Sequence, residues 1–143
     1  AALRLAQSFL YAIPGVPLTY YGDEIGLAGA GDPDNRRMMS FDNWSEEQEK
    51  THEHLSKLGK VRLASRALRR GELSILFSSP DTLVLKRTSD SEEAIVALNR
   101  SYEPAEIPVS IPDAEAWNTV FGEGTIAEST LSIPSRSSVF WTR

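Results

Sequence analysis

The chain has 143 residues, 41% of them hydrophobic and 24% charged, with a formal net charge of -5 and no cysteine. This composition suits ordinary globular material with one core or two small ones, and its acidic balance argues against a nucleic-acid or anionic-membrane partner, since both require a basic face. Without cysteine there is neither a disulfide framework nor thiolate chemistry, and the compartment, cytoplasmic or secreted, is left open.

The opening stretch "AALRLAQSFLYAIPG" places Leu3, Ala6, Leu10 and Ile13 at spacings of three and four, which predicts an amphipathic helix with that stripe buried and a stop at Pro14 and Gly15. It is a poor signal peptide, and it is too short and polar to span a membrane. It reads as the middle of something larger. "VPLTYYG" follows, apolar and aromatic with Pro17 near its start, and predicts a buried strand. A helix, a glycine break and a nearly continuous apolar strand form the cadence of an α/β unit with a parallel sheet.

From Ile25 to Trp44 the chain loses periodicity. Gly26, Gly29, Gly31 and Pro33 disfavour a helix there, and loops of that length are usually functional or disordered. Within it, "GDPDNRR" at residues 31–37 crowds two acids, an amide and two arginines into seven positions. Next, Ser45 and Gln48 form a capping box, glutamates fill the first turns, and Arg62, Arg66, Arg69 and Arg70 gather toward the far end, a gradient that the helix dipole explains. Leu55, Leu58, Val61 and Leu68 predict the inward stripe of one helix closed by Gly71. His52 and His54, two apart, cannot chelate one metal from a helix and are expected on the solvated surface.

From Glu72 the texture changes to "LSILF", "TLVLKRT", "EEAIVALNR", "AEIPVSI", "WNTVFG", "TLSIP" and "SSVFWT", short runs separated by turn residues. Their spacing predicts an antiparallel β-sandwich or barrel, with Pro104, Pro108 and Pro112 protecting an edge strand. The expected division is residues 1–71 and 72–143.

"IPGVPLTYYGDEIGLAG" followed by "GDPDNRRMM" resembles the eighth strand and following loop of the α-amylase family of glycoside hydrolases, closest to neopullulanase, cyclomaltodextrinase and other oligosaccharide-acting types. "LGKVRLASRALRRGE" is similar to the family's last barrel helix, and the β half looks like its small C-terminal sandwich. Met38 departs from the pattern, where Pro is frequent. The resemblance implies an α/β plus all-β fold: the last strand and helices of a TIM (β/α)8 barrel, then a small antiparallel β-sandwich. It also implies an α-glucan or maltooligosaccharide substrate, with Asp32 and Arg36 as substrate-binding residues. A carboxylate acceptor and a rigid fork of donors suit the hydroxyls of a sugar. The alternative for the same loop is a turn cap at Asp32 with Arg36 or Arg37 folded back as an intraloop ion pair.

No residue of the chain is assigned to catalysis, to a cofactor or to a metal. A retaining glycosidase needs two carboxylates about 5 to 5.5 Å apart. Asp23 and Glu24, adjacent at an expected strand end, should point to opposite faces, and in the family the catalytic acids lie on earlier strands. Glu24 is expected to fix the strand end by hydrogen bonds. Read as an EF-hand, the loop from Asp32 fails at the glycine and terminal glutamate positions. The chain alone is therefore expected to be inactive and to need the remainder of its barrel or self-association. Two rival functions stand beside this: a carbohydrate-binding module with Tyr102, Trp117, Trp141 and Tyr11 as a stacking platform, and a non-catalytic amylase-like scaffold.

Overall fold

A computed structural model describes residues 1–143. Its helices are α1 (Ala2–Ala12), α2 (Glu46–Ala64) and α3 (Arg66–Arg70). The strands are β1 (Glu72–Ser78), β2 (Thr82–Thr88), β3 (Glu93–Asn99), β4 (Ala105–Pro108), β5 (Asn118–Phe121), β6 (Thr125–Ile126), β7 (Thr130–Ile133) and β8 (Ser137–Thr142). The seven apolar runs after Glu72 all become strands; β6 has only two residues, too few to show a pattern.

The strands form two antiparallel sheets, one ordered β1-β2-β3-β8-β5 and the other β4-β7-β6. They face each other across Val84, Ile95, Ile107, Leu131, Val139 and Trp141. The outer face of the larger sheet carries Leu85, Val96, Leu98 and Phe140, which pack against Ala12, Leu58 and Leu68 of the helices. That sheet is thus covered on both sides, which is why β3 is a continuous apolar run rather than an alternating one. β4 is an edge strand flanked by Pro104 and ended by Pro108, where a missing backbone donor is tolerated.

Four expectations are corrected. Val16–Tyr20 forms no strand, and Val16 and Leu18 are 94% and 80% exposed. A barrel strand takes its ladder bonds from neighbours on both sides, and no other segment of this chain lies alongside it. Second, α1 turns its other face inward. Gln7, Ser8 and Ala12 are buried while Leu3 is 40% and Phe9 42% exposed. Third, the predicted long helix breaks at Ser65, which adopts an extended conformation and caps α3 by accepting from Leu68 N at 3.1 Å. The Glu92 carboxylate from the β2–β3 turn reinforces the break by accepting from the N–H groups of Arg66 and Ala67 at 2.6 and 3.1 Å. The capping box at Ser45 and Gln48 forms at the start of α2.

The fourth correction concerns Arg62, which does not serve the dipole of its own helix. It is buried, and its Nη1 donates to the carbonyls of Tyr11 at 2.6 Å and Ile13 at 3.2 Å, its Nη2 to that of Gly15 at 2.5 Å. Arg87 on β2, also buried, donates from Nη1 to the carbonyl of Ala12 at 2.6 Å and from Nη2 to that of Gly71 at 2.7 Å. The final carbonyls of a helix have no donors within it, so two guanidinium groups supply them from α2 and from the sandwich. Burial lowers both pKa values, yet an arginine side chain remains cationic in a protein.

Candidate functional site

The arginine clamp fixes the point where the chain leaves α1 for residues 16–44. Tyr20–Gly26 then winds through successive turns instead of a strand end. Asp23 Oδ2 accepts from Tyr20 N at 3.1 Å, and Glu24 Oε2 accepts from Gly22 N at 2.7 Å. One oxygen of each carboxylate of the Asp–Glu pair is thus engaged by a local backbone donor. Gln7 Nε2 donates to the carbonyl of Asp23 at 2.9 Å, and Ile25 is 1% exposed, so this turn is held down by α1. Gly22 and Gly26, at φ of 91° and 63°, occupy the left-handed region that glycine tolerates.

Residues 31–37 form a tight, exposed, charged turn. The Asp32–Pro33 peptide bond is cis, and Asp34–Arg36 makes one 3-10 turn. Asp32 and Arg36, four apart in sequence, meet directly: Arg36 Nη2 lies 2.8 Å from Asp32 Oδ1, with both side chains largely exposed. The better-built pair is one position on. Arg37 donates from Nε to Asp34 Oδ1 at 2.7 Å and from Nη2 to Asp34 Oδ2 at 2.9 Å, a bidentate fork, while Asp34 Oδ2 also accepts from Ala30 N at 2.8 Å. The hydrogen bonds from Arg37 hold the Asp34 carboxyl below the usual carboxylate range, and Asp34 in turn raises Arg37.

The intraloop ion pairs of the alternative reading form, and the Asp32 and Arg36 side chains remain largely exposed to solvent. Asp34 is the acceptor that organises the turn, and its sequence signal is the spacing of three to Arg37. The loop closes at Trp44, whose Nε1 donates to Ser40 O at 2.9 Å and whose ring stands 4.9 Å from that of His52.

His54 corrects the surface expectation. Its Nε2 lies 2.9 Å from Arg4 O and 3.0 Å from Ser8 Oγ, and Ser8 Oγ lies 2.7 Å from Ser138 Oγ. Because a carbonyl only accepts, Nε2 carries the proton. Its ring meets that of Phe121 edge-on at 5.0 Å. The aromatic platform also fails: Trp117 and Trp141 are 7% and 0% exposed in the sandwich core, leaving Tyr102 alone at the surface. No group of three or more His, Cys, Asp or Glu gathers in a way that could hold a metal ion, and no helix is long and apolar enough to cross a membrane.

Three helices clamped onto a two-sheet antiparallel sandwich, with a long polar loop between α1 and α2, make up the architecture. Comparison with known proteins places it more closely. The chain is 37% identical over 131 residues to a cyclomaltodextrinase of Geobacillus thermopakistaniensis, covering 89% of this chain and 22% of that protein. It is 33% identical over 116 residues to neopullulanase 2 of Thermoactinomyces vulgaris, covering 80% of this chain and 20% of that protein. The structure superposes with a TM-score of 0.85 on an α-amylase from Geobacillus thermoleovorans solved with acarbose, at 28% identity, over 98% of this chain and 32% of the other. No family model matches. The chain belongs to the α-amylase family and corresponds to its C-terminal part. It spans about a fifth of the length of these curated relatives.

Proposed function

We propose that the protein carrying this segment is a glycoside hydrolase that cleaves α-glucosidic bonds in starch-derived α-glucans or maltooligosaccharides. The likeness to a cyclomaltodextrinase along 89% of the chain carries this reading. Residues 1–71 belong to the catalytic (β/α)8 barrel and residues 72–143 to the sandwich domain. The remainder of the barrel, or a second copy, covers the exposed apolar side chains of Leu3, Phe9, Val16 and Leu18. The catalytic carboxylates lie outside this chain, and Asp23 and Glu24 serve the local turn as acceptors for the N–H groups of Tyr20 and Gly22. Asp32 and Arg36 contact a glucose unit at one end of the cleft, and Asp34 with Arg37 holds the turn that presents them.

The test is hydrolysis of maltooligosaccharides, cyclodextrins and pullulan by the intact protein. Asp32→Ala and Arg36→Ala should each raise KM by about tenfold, the worth of one charged hydrogen bond, without changing thermal stability, since both side chains are exposed. No turnover of any α-glucan overturns the activity. Unchanged KM in both variants overturns the assignment of the loop. Turnover by the 143-residue chain alone overturns the placement of the carboxylates elsewhere.

A further inference from the structure

β1 is an edge strand of the larger sheet, and its two faces differ. Toward the sandwich interior, Leu76 and Phe77 pack against the core. On the outer face, Leu73 stands opposite Arg87 and Ile75 opposite Leu85. Directly opposed residues share a face of a sheet, so Leu73 and Ile75 point to the side on which the helices lie. They are nevertheless 40% and 62% exposed. The apolar cluster beneath the helices takes its strand residues from β2, β3, β8 and β5, and none from β1. At the opposite edge of the sheet the same face is closed, with the ring of Phe121 on β5 against that of His54 on α2.

We infer that the outer face of β1 is a docking surface for the part of the protein that precedes Ala1, so that the sandwich is seated on the rest of the barrel and not on α1, α2 and α3 alone. The inference rests on the reading of residues 1–71 as part of a longer barrel. The relatives that this chain matches carry most of their length ahead of the matched region, and the helices already packed on this side of the sheet belong to the same barrel. The bare face also adjoins a second one. Arg87, the cross-strand partner of Leu73, reaches the carbonyl of Ala12, where α1 ends and the exposed Val16 and Leu18 soon follow. One body can cover both.

The sequence of β1 favours a covered strand. In Glu72–Ser78 the only charged residue is Glu72 and there is no proline, whereas strands that meet water at an edge are usually blunted by charge or proline. The bulge between Ile75 and Phe77 is the one protective device present, and it leaves Ile75 open.

Cysteine labelling of the intact protein tests this. Ile75→Cys and Leu73→Cys are compared with Tyr102→Cys, a position 80% exposed on the sandwich, each maleimide rate being read by mass spectrometry on its own peptide and divided by its value in urea. Positions 73 and 75 should react at least about tenfold more slowly than position 102, because labelling must wait for the docked surfaces to open. That protection should survive dilution by about a hundredfold, since a contact within one polypeptide does not depend on concentration. Rates at both positions equal to the reference overturn the inference, and so does protection that disappears on dilution, which would assign the face to a second copy. Labelling needs no turnover, so an active α-glucan hydrolase with both positions fully reactive overturns this inference and leaves the proposed activity standing.

Discussion

The Arg87 guanidinium on the sandwich donates to the carbonyl of Ala12 at the end of α1, 75 residues earlier, at 2.6 Å. Arg87→Met keeps most of the apolar stem but leaves the carbonyls of Ala12 and Gly71 without this donor. Burying unpaired acceptors costs about 1 to 3 kcal/mol each. Urea denaturation of the intact protein should show a loss of about 3 kcal/mol in the unit containing α1. A loss below about 1 kcal/mol would mean that water replaces the guanidinium at little cost.

Ser8 and Ser138 share a buried hydrogen bond of 2.7 Å between a helix and a strand far apart in sequence. Ser8→Ala and Ser138→Ala should each destabilise, and the double variant should lose less than the sum, with a coupling of about 1 kcal/mol. Strict additivity would show that the contact contributes nothing.

Burial pushes the His54 imidazole below the usual histidine range; Arg4 and Lys57 push the same way, and the hydrogen bond to the Arg4 carbonyl opposes them. The folded state therefore binds this proton less readily than the unfolded state. Stability must fall as pH drops below the unfolded histidine pKa of about 6.5, levelling off once the folded pKa is passed. The melting-temperature difference between the wild type and His54→Gln, followed from pH 8 to pH 5 (about the window in which histidine titrates), should shift against the wild type as the solution is acidified. A difference that does not vary with pH contradicts this.

Gly122 sits at φ 77°, and a Cβ built there would stand 2.2 Å from the carbonyl oxygen of Ser138. Since the clashing atom is backbone of β8, an interior strand of the larger sheet, there is no flexible side chain to absorb it. Gly122→Ala should cost at least about 2 kcal/mol and should broaden the NMR resonances of β5 and β8. A wild-type melting temperature would show that the turn can re-form with negative φ.

The sandwich was legible because its strands are bounded by proline, glycine, serine and aspartate, and turn chemistry is local. The face of α1 was not. The apolar spacing of Leu3, Ala6 and Leu10 is real, but the face that meets the sandwich is the one carrying Gln7 and Ser8, where the Gln7 amide N–H donates to the carbonyl of Asp23 and the Ser8 hydroxyl meets His54 and Ser138. Hydrophobic period alone cannot reveal a polar contact made to a distant segment. "VPLTYYG" has strand composition, but a strand is a property of a pair and its partner is not in this chain. At the loop, the charges of Asp32 and Arg36 were visible at once. Their mutual ion pair, and the stronger fork between Asp34 and Arg37, depend on a turn geometry that the sequence hints at only through spacing.

The two-sided burial of β3 bears on fidelity of pairing. A strand with one wet face is protected against sliding, because a one-residue slip would turn its apolar side to water. β3 has no wet face, so a slip would exchange one apolar set for another and the hydrophobic effect would scarcely object. The polar residue at its end does object. Asn99, fully buried, donates from Nδ2 to the carbonyls of Glu103 and Pro134 at 2.8 and 3.0 Å and accepts from Ser101 N at 2.9 Å. Any slip would strand that amide among aliphatic neighbours, so one asparagine acts as the index mark that tells a featureless ribbon where to stop.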